Sequence, residues 1–266
     1  HSKEKLAKNY ESLVRFNALT NQNKFCGNDI IYKYQLANML NCRRGRPDYK
    51  TLEEWFSTPE YANELWRQTL QRNRRKKATI PSPTDVYECH RLNNGAIVSF
   101  KPATAKYIYK RFNATNVLDP CAGWGGRMLG ALSVKMKLPY SQMRCVASGF
   151  TTPVFMNWYS CLDGDFTDKE YDLILTSPPY ANVELYEGMT PWKNSDDFYK
   201  TFMVPLMDKL FTETNCPICI NMSPVMYDAM VKRYGLKECD ESIDLRQQLG
   251  KKYKTVSQNY IYVWIN

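Results

Sequence analysis

Apolar positions along the chain follow two different rhythms. Through residue 85 they recur at helical spacing. Leu6, Tyr10, Leu13, Val14 and Ala18 make one set, and Ile30, Ile31, Tyr34, Leu36 and Met39 a second. Trp55, Phe56, Leu65, Trp66 and Leu70 mark a third within residues 52–70. Spacing of this kind lays one apolar stripe along each helix. The Pro-Ser-Pro at 81–83 reads as a linker. Residues 1–85 are therefore expected to form a small helical lobe. Beyond about residue 94 the rhythm shortens. Apolar runs at 96–100, 116–118, 144–146, 172–175, 218–220 and 260–264 alternate with helical segments. That alternation predicts an α/β domain over 86–266, a parallel sheet with helices on both faces. The aromatic run 260–264, with 236–245 before it, predicts an antiparallel pair at the sheet edge.

Two loops of this second domain carry candidate chemistry. Strand 116–118 runs into Asp119-Pro120-Cys121-Ala122-Gly123-Trp124-Gly125-Gly126, and a helix is expected from Arg127. Glycines allow positive φ and close approach of the backbone to a ligand. A following helix start turns free N–H groups into the same space. Ligands of open α/β sheets bind beyond the carboxyl ends of strands, so this turn is a candidate cofactor cradle. It is neither a dinucleotide Gly-x-Gly-x-x-Gly nor a phosphate-binding P-loop. The second loop, Ser177-Pro178-Pro179-Tyr180, ends strand 172–175. Two prolines fix the backbone and remove two N–H donors while their carbonyls remain. The result is a stiff ledge with a hydroxyl, a carbonyl and an aromatic face. Such a ledge suits an exocyclic amino group, with Tyr180 stacking on its base. A base paired in a duplex would have to be flipped out to reach it.

The chain has 266 residues and a formal charge of +9. Arg43, Arg44 and Arg46 form one basic group. Arg72, Arg74, Arg75, Lys76 and Lys77 form another, and a third lies at 250–254. Together they favour a polyanion partner. Nine scattered cysteines, an odd number in a chain of this size, read as reduced thiols. The expected setting is the cytoplasm or another reducing intracellular compartment, the nucleus or a virus-infected cell included. Cys216-Pro-Ile-Cys219 lies in an apolar run with no partner motif, so no metal site is expected. No apolar stretch approaches the ~20 residues of a membrane span, and no signal peptide is expected. His1 and His90 are the two histidines, which leaves a Ser-His-Asp triad without a supporting motif.

Taken together, these motifs resemble those of the amino-group DNA methyltransferases. That family moves a methyl from S-adenosylmethionine to N6 of adenine or N4 of cytosine, mostly within restriction–modification systems. The glycine turn is similar to the family's cofactor motif, and Thr176 to Tyr180 to its (Asp/Asn/Ser)-Pro-Pro-Tyr motif. Phe100-Lys101-Pro102 resembles the Lys-Pro element that closes over the methionine end of the cofactor. The resemblance covers roughly residues 95–266. It implies a Rossmann-like methyltransferase sheet, with 86–266 as the catalytic domain and 1–85 as a candidate for target recognition. Ser177, Pro178, Pro179 and Tyr180 would be catalytic. Phe100, Lys101, Pro102, Asp119, Pro120, Cys121, Ala122, Gly123 and Gly125 would hold S-adenosylmethionine. Serine at 177 is more usual among N4-cytosine enzymes, so cytosine is favoured.

One departure concerns the ribose. The second strand of such a sheet usually ends in an acid, and 143–150 contain none. Asp163 and Asp165 are the candidate acids for the cofactor's nucleoside. The implied reaction is direct attack of the amino nitrogen on the methyl, without a covalent enzyme intermediate. Duplex DNA with a flipped base is the expected partner. Adenine N6, an RNA amino group and a non-catalytic nucleic-acid-binding subunit are the alternatives, and a homodimer stays open. Segment 182–192, with Tyr186 and Trp192, is read either as a mobile loop over the base pocket or as an aromatic surface patch packing on the N-terminal lobe.

Overall fold

The computed structural model describes residues 2–19, 25–45, 49–75, 80–93, 97–134, 144–145, 160–167, 170–185, 190–245 and 260–265. Its helices are α1 (Lys3–Arg15), α2 (Asn28–Leu40), α3 (Leu52–Trp55), α4 (Pro59–Arg75), α5 (Pro83–Asn93), α6 (Pro102–Arg111), α7 (Gly126–Leu132), α8 (Ser160–Asp163), α9 (Ser195–Phe198), α10 (Val204–Glu213) and α11 (Pro224–Tyr234). Its strands are β1 (Arg43–Arg44), β2 (Val117–Asp119), β3 (Arg144–Cys145), β4 (Leu173–Thr176), β5 (Glu184–Leu185), β6 (Ile218–Met222), β7 (Glu241–Asp244) and β8 (Tyr260–Trp264). They divide into two compact units.

The first unit comprises His1–Tyr34, Ser99–Tyr180 and Trp192–Asn266. Among the described residues its sheet has six strands in the order β3-β2-β4-β6-β8-β7. The first four are parallel, and β8 runs antiparallel to both β6 and β7. The fold is thus α/β with a mixed sheet and a parallel core. β4 and β6 are buried at every residue, the signature of a sheet covered on both faces. Ala105, Ile108, Leu173, Leu175, Cys219, Ile261 and Val263 pack in one core. Each large aliphatic contributes about 1.5–3 kcal/mol by leaving water. The expected pairing of 260–264 with 236–245 is present as β8–β7, although β8 lies inside the sheet and β7 takes the edge.

Three expectations are corrected here. Residues 1–34 fold with the sheet and not with the helical lobe. The Lys106 ammonium explains this: it donates to the Leu13 and Val14 carbonyls at 2.6 and 2.8 Å, at the end of α1, where helix carbonyls lack their usual partners four residues on. Burial lowers the Lys106 pKa, and those two carbonyls are what solvate its charge. The run expected as a strand at 96–100 forms none over 97–100. It is the lead into α6, whose first residue is Pro102, pre-set in φ for a helix start. The Pro-Ser-Pro at 81–83 is also a helix start. Ser82 N and Oγ donate to Asp85 Oδ2 at 2.9 and 2.7 Å, and Pro83 opens α5.

The second unit comprises Gln35–Val98 and Ala181–Pro191. The chain therefore passes between the units inside α2, between Val98 and Ser99, and on either side of Ala181–Pro191, not at residue 85. Trp55, Leu65 and Cys89 form the unit's small core. α3 opens on a capping box between Thr51 and Glu54. β1 pairs antiparallel with β5, so a segment directly after the Pro-Pro-Tyr motif is part of this unit. Within the described residues, no helix is long and apolar enough to cross a membrane.

Candidate active site

β2 has β3 on one side and β4 on the other. The chain thus leaves β2 in one direction and returns in the other, which opens a crevice at the carboxyl ends of β2 and β4. Asp119 ends β2 and Thr176 ends β4. The glycine turn and the Ser-Pro-Pro-Tyr ledge follow those two residues, so the fold brings both motifs to one place. A direct bond joins them: the Cys121 N–H donates to Thr176 Oγ1 at 3.0 Å, fully buried.

The turn itself is built around one ion pair. Arg127 Nε donates to Asp119 Oδ2 at 2.8 Å, with side-chain exposures of 2% and 0%. The same guanidinium donates to the Cys121 carbonyl and lies 5.1 Å from the centroid of the Phe100 ring. Gly123 and Gly125 have φ of 54° and 82°, left-handed values that favour glycine. A Cβ at Gly126 would overlap the Phe100 carbonyl oxygen, so this glycine lets the Phe100-Lys101-Pro102 segment lie directly on the turn. Lys101 Nζ sits 4.3 Å from the centroid of the Phe25 ring, and burial lowers its pKa. Pro102, Pro120 and Ala122 are buried as well.

The thiols of Cys121 and Cys161 are hydrogen-bonded to each other. That bond and burial push the Cys121 thiol well up, and the same bond lowers Cys161. Cys121 is thus held as a thiol, not a thiolate nucleophile. Asp163, the last residue of α8, and Asp165, two residues on, are exposed. Asp165 Oδ1 accepts from Thr167 N and Oγ1 at 2.8 and 2.7 Å. Residues 146–150, where the family's acid would stand, lie outside the described residues.

Pro178 and Pro179 are buried, while Ser177 and Tyr180 are half-buried. Both hydroxyls meet Asn221 Oδ1, Ser177 at 3.3 Å and Tyr180 at 3.4 Å. Asn221 lies on β6 and donates through Nδ2 to the Tyr260 carbonyl on β8 at 2.9 Å. Arg127, Thr176 and Asn221 are the site residues that sequence reasoning passed over. Thr176 and Asn221 left a signal, a polar side chain inside or just after an apolar run that the pattern required to be buried; Arg127, just after two glycines, left none.

The basic candidates divide. Arg43 is paired with Glu54, and Arg72 with Glu88 at 3.4 Å. The side chains of Arg44, Arg74 and Arg75, and all of Arg46, Lys76, Lys77 and 250–254, lie outside the described residues. Trp192 is 7% exposed and packs edge-on to Phe198 at 4.9 Å. It is a core residue of the first unit and not a surface aromatic, whereas Ala181–Pro191 belong to the second unit with Gln35–Val98. Tyr186 lies outside the described residues. His90 is buried in α5 of the second unit, its Nε2 3.2 Å from the Lys50 carbonyl. Among the described residues, no group of three or more His, Cys, Asp or Glu is placed to hold a metal. No protein-family model matches the chain, and no curated protein matches it.

Proposed function

We propose that the protein is a Rossmann-like, S-adenosylmethionine-dependent methyltransferase that acts on an exocyclic amino group of DNA, cytosine N4 in first place. One observation carries this reading. The two loops that resemble the family's cofactor and catalytic motifs emerge from adjacent parallel strands at the switch point of the sheet and are hydrogen-bonded to each other.

The residues suit the cofactor. Asp119 Oδ1 is buried without a hydrogen-bond donor, an expensive state unless a ligand supplies one. The ammonium of a methionine moiety is such a donor. The turn from Asp119 to Gly125, with Phe100-Lys101-Pro102 packed on it, would hold that moiety, and exposed Asp163 is free to meet the nucleoside. Bound there, S-adenosylmethionine supplies a sulfonium methyl: the N–C bond forms as C–S breaks, the electron pair stays on sulfur and the amine proton passes to water. The chain's part is positioning and charge stabilisation. Ser177 and the Pro178 carbonyl accept from the amino group, and Tyr180 stacks on the base. A protonated Cys121 fits a mechanism without a thiol adduct.

The test is direct. Purified protein is incubated with methyl-labelled S-adenosylmethionine and unmethylated DNA of mixed sequence, and the digested nucleosides are identified by mass. N4-methylcytosine is expected. N6-methyladenine would move the target base, and label entering tRNA but not DNA would move the polymer. Absence of cofactor binding by calorimetry would refute the enzyme reading.

A further inference from the structure

We propose that Asn221 is a positioning residue that makes Ser177 a hydrogen-bond acceptor only, so that the ledge selects a donor such as an amino group. The substrate half of this statement rests on the methyltransferase reading above. The hydrogen-bond half rests on the amide alone.

A serine hydroxyl is ambidextrous: it has one proton to give and two lone pairs to receive with. A carboxylate at position 177 would be an acceptor unaided, but a serine needs its proton disposed of. Asn221 does this. Its two ends are fixed by chemistry, because the Tyr260 carbonyl can only accept. The amide nitrogen must therefore face Tyr260, and Oδ1 must face Ser177 and Tyr180. Oδ1 carries no proton, so the hydrogen in its bond with Ser177 belongs to the serine. What remains on Ser177 Oγ is lone pairs.

The neighbours act in the same sense. Pro178 and Pro179 add carbonyls and no N–H. The serine and both prolines thus offer a substrate acceptors and no side-chain donor. A base carbonyl or a bare ring nitrogen placed there would find nothing to accept from. An exocyclic amino group finds partners for its hydrogens. The register supports the assignment: Thr176 pairs with Ile220, which brings Asn221 level with Ser177. Asn221 is itself 7% exposed, so water does not compete freely for its amide.

Two measurements test this. In a neutron structure of the protein, hydrogen density is expected on Ser177 Oγ along the line to Asn221 Oδ1. Density pointing elsewhere overturns the proposal, whatever the enzyme turns out to do. In kinetics, Asn221→Leu should lower kcat about tenfold, roughly the worth of one well-placed hydrogen bond. KM for DNA and the cofactor Kd should stay within about twofold, since only positioning is lost. In a Ser177→Asp background, where the carboxylate is an acceptor only and needs no orienting, the same Asn221→Leu change should cost no more than about twofold. An equal loss in both backgrounds overturns the positioning role. Wild-type protein that methylates no amino group would instead refute the function proposed above and leave the hydrogen's position to be judged by itself.

Discussion

Thr176→Val tests whether the two loops are one device. The hydroxyl of Thr176 is the acceptor for the Cys121 N–H, and both residues are buried. Valine keeps the shape of threonine and removes that acceptor. The Cys121 N–H, with no water to replace it, is left unsatisfied at a cost of about 1–3 kcal/mol. The added apolar methyl returns at most about 0.8 kcal/mol. The net loss is then on the order of 1–2 kcal/mol. In a chain of this size that lowers Tm by roughly 2–8 °C. Thr176→Ser is the control: it retains the acceptor and forfeits a methyl, at about 1 kcal/mol. The two variants should therefore melt at similar temperatures and differ in cofactor binding. By calorimetry, Thr176→Val should bind S-adenosylmethionine several-fold more weakly, because the turn is no longer held to the ledge, and Thr176→Ser should bind as wild type. Equal cofactor affinity in both variants would show that the bond does not hold the turn in its binding shape, and the argument would fail.

Arg127→Met should leave Asp119 buried without its cation, costing about 3–5 kcal/mol and lowering Tm by at least ~6 °C. The double variant Asp119→Asn, Arg127→Met should recover part of that loss in the same melt, and no recovery would mean that the ion pair is not the cause. Burial holds His90 below its ordinary pKa despite its bond to the Lys50 carbonyl. Between that lowered value and about 6.5, the unfolded chain binds a proton that the folded chain refuses, so stability falls as pH drops below about 6.5. Wild type should lose Tm between pH 7 and 5.5, and His90→Gln should lose clearly less. Parallel losses would exclude His90 as the group responsible.

The sequence disclosed the strands of the parallel core because burial on both faces leaves them as uninterrupted apolar runs. Residues 173–175 and 218–220 are such runs. It disclosed the antiparallel tail for a similar reason. The domain division was hidden because helical spacing says that a helix buries a face and not what buries it. α1 looks like part of a helical lobe until Lys106, 91 positions past the end of α1 at Arg15, is seen to cap it. The same limit concealed the role of residues 181–191. Nothing in their composition says that Glu184 and Leu185 pair with Arg44 and Arg43. Segment 97–100 misled for the opposite reason. Its apolar residues enter no ladder: Val98 is exposed, Ile97 and Phe100 are half-buried, and the Phe100 backbone packs on Gly126, which shows only in three dimensions.

Within the site, polar residues are informative where the strands end. Asp119, Thr176 and Asn221 stand at or next to the last residues of β2, β4 and β6. All three are buried at 0–7% exposure, where a polar side chain is costly unless bonded. None serves the apolar core, and an aliphatic would pack there with less risk. Each instead holds a loop. Asp119 binds the arginine that grips the glycine turn, Thr176 joins that turn to the ledge, and Asn221 orients the ledge hydroxyls. A proline follows one to three residues later each time, at Pro120, Pro178 and Pro224, so the strand stops while the polar residue is still inside. A fold under selection for stability alone has no reason to line three neighbouring strand ends in this way. An arrangement that must keep two loops in register at one crevice does.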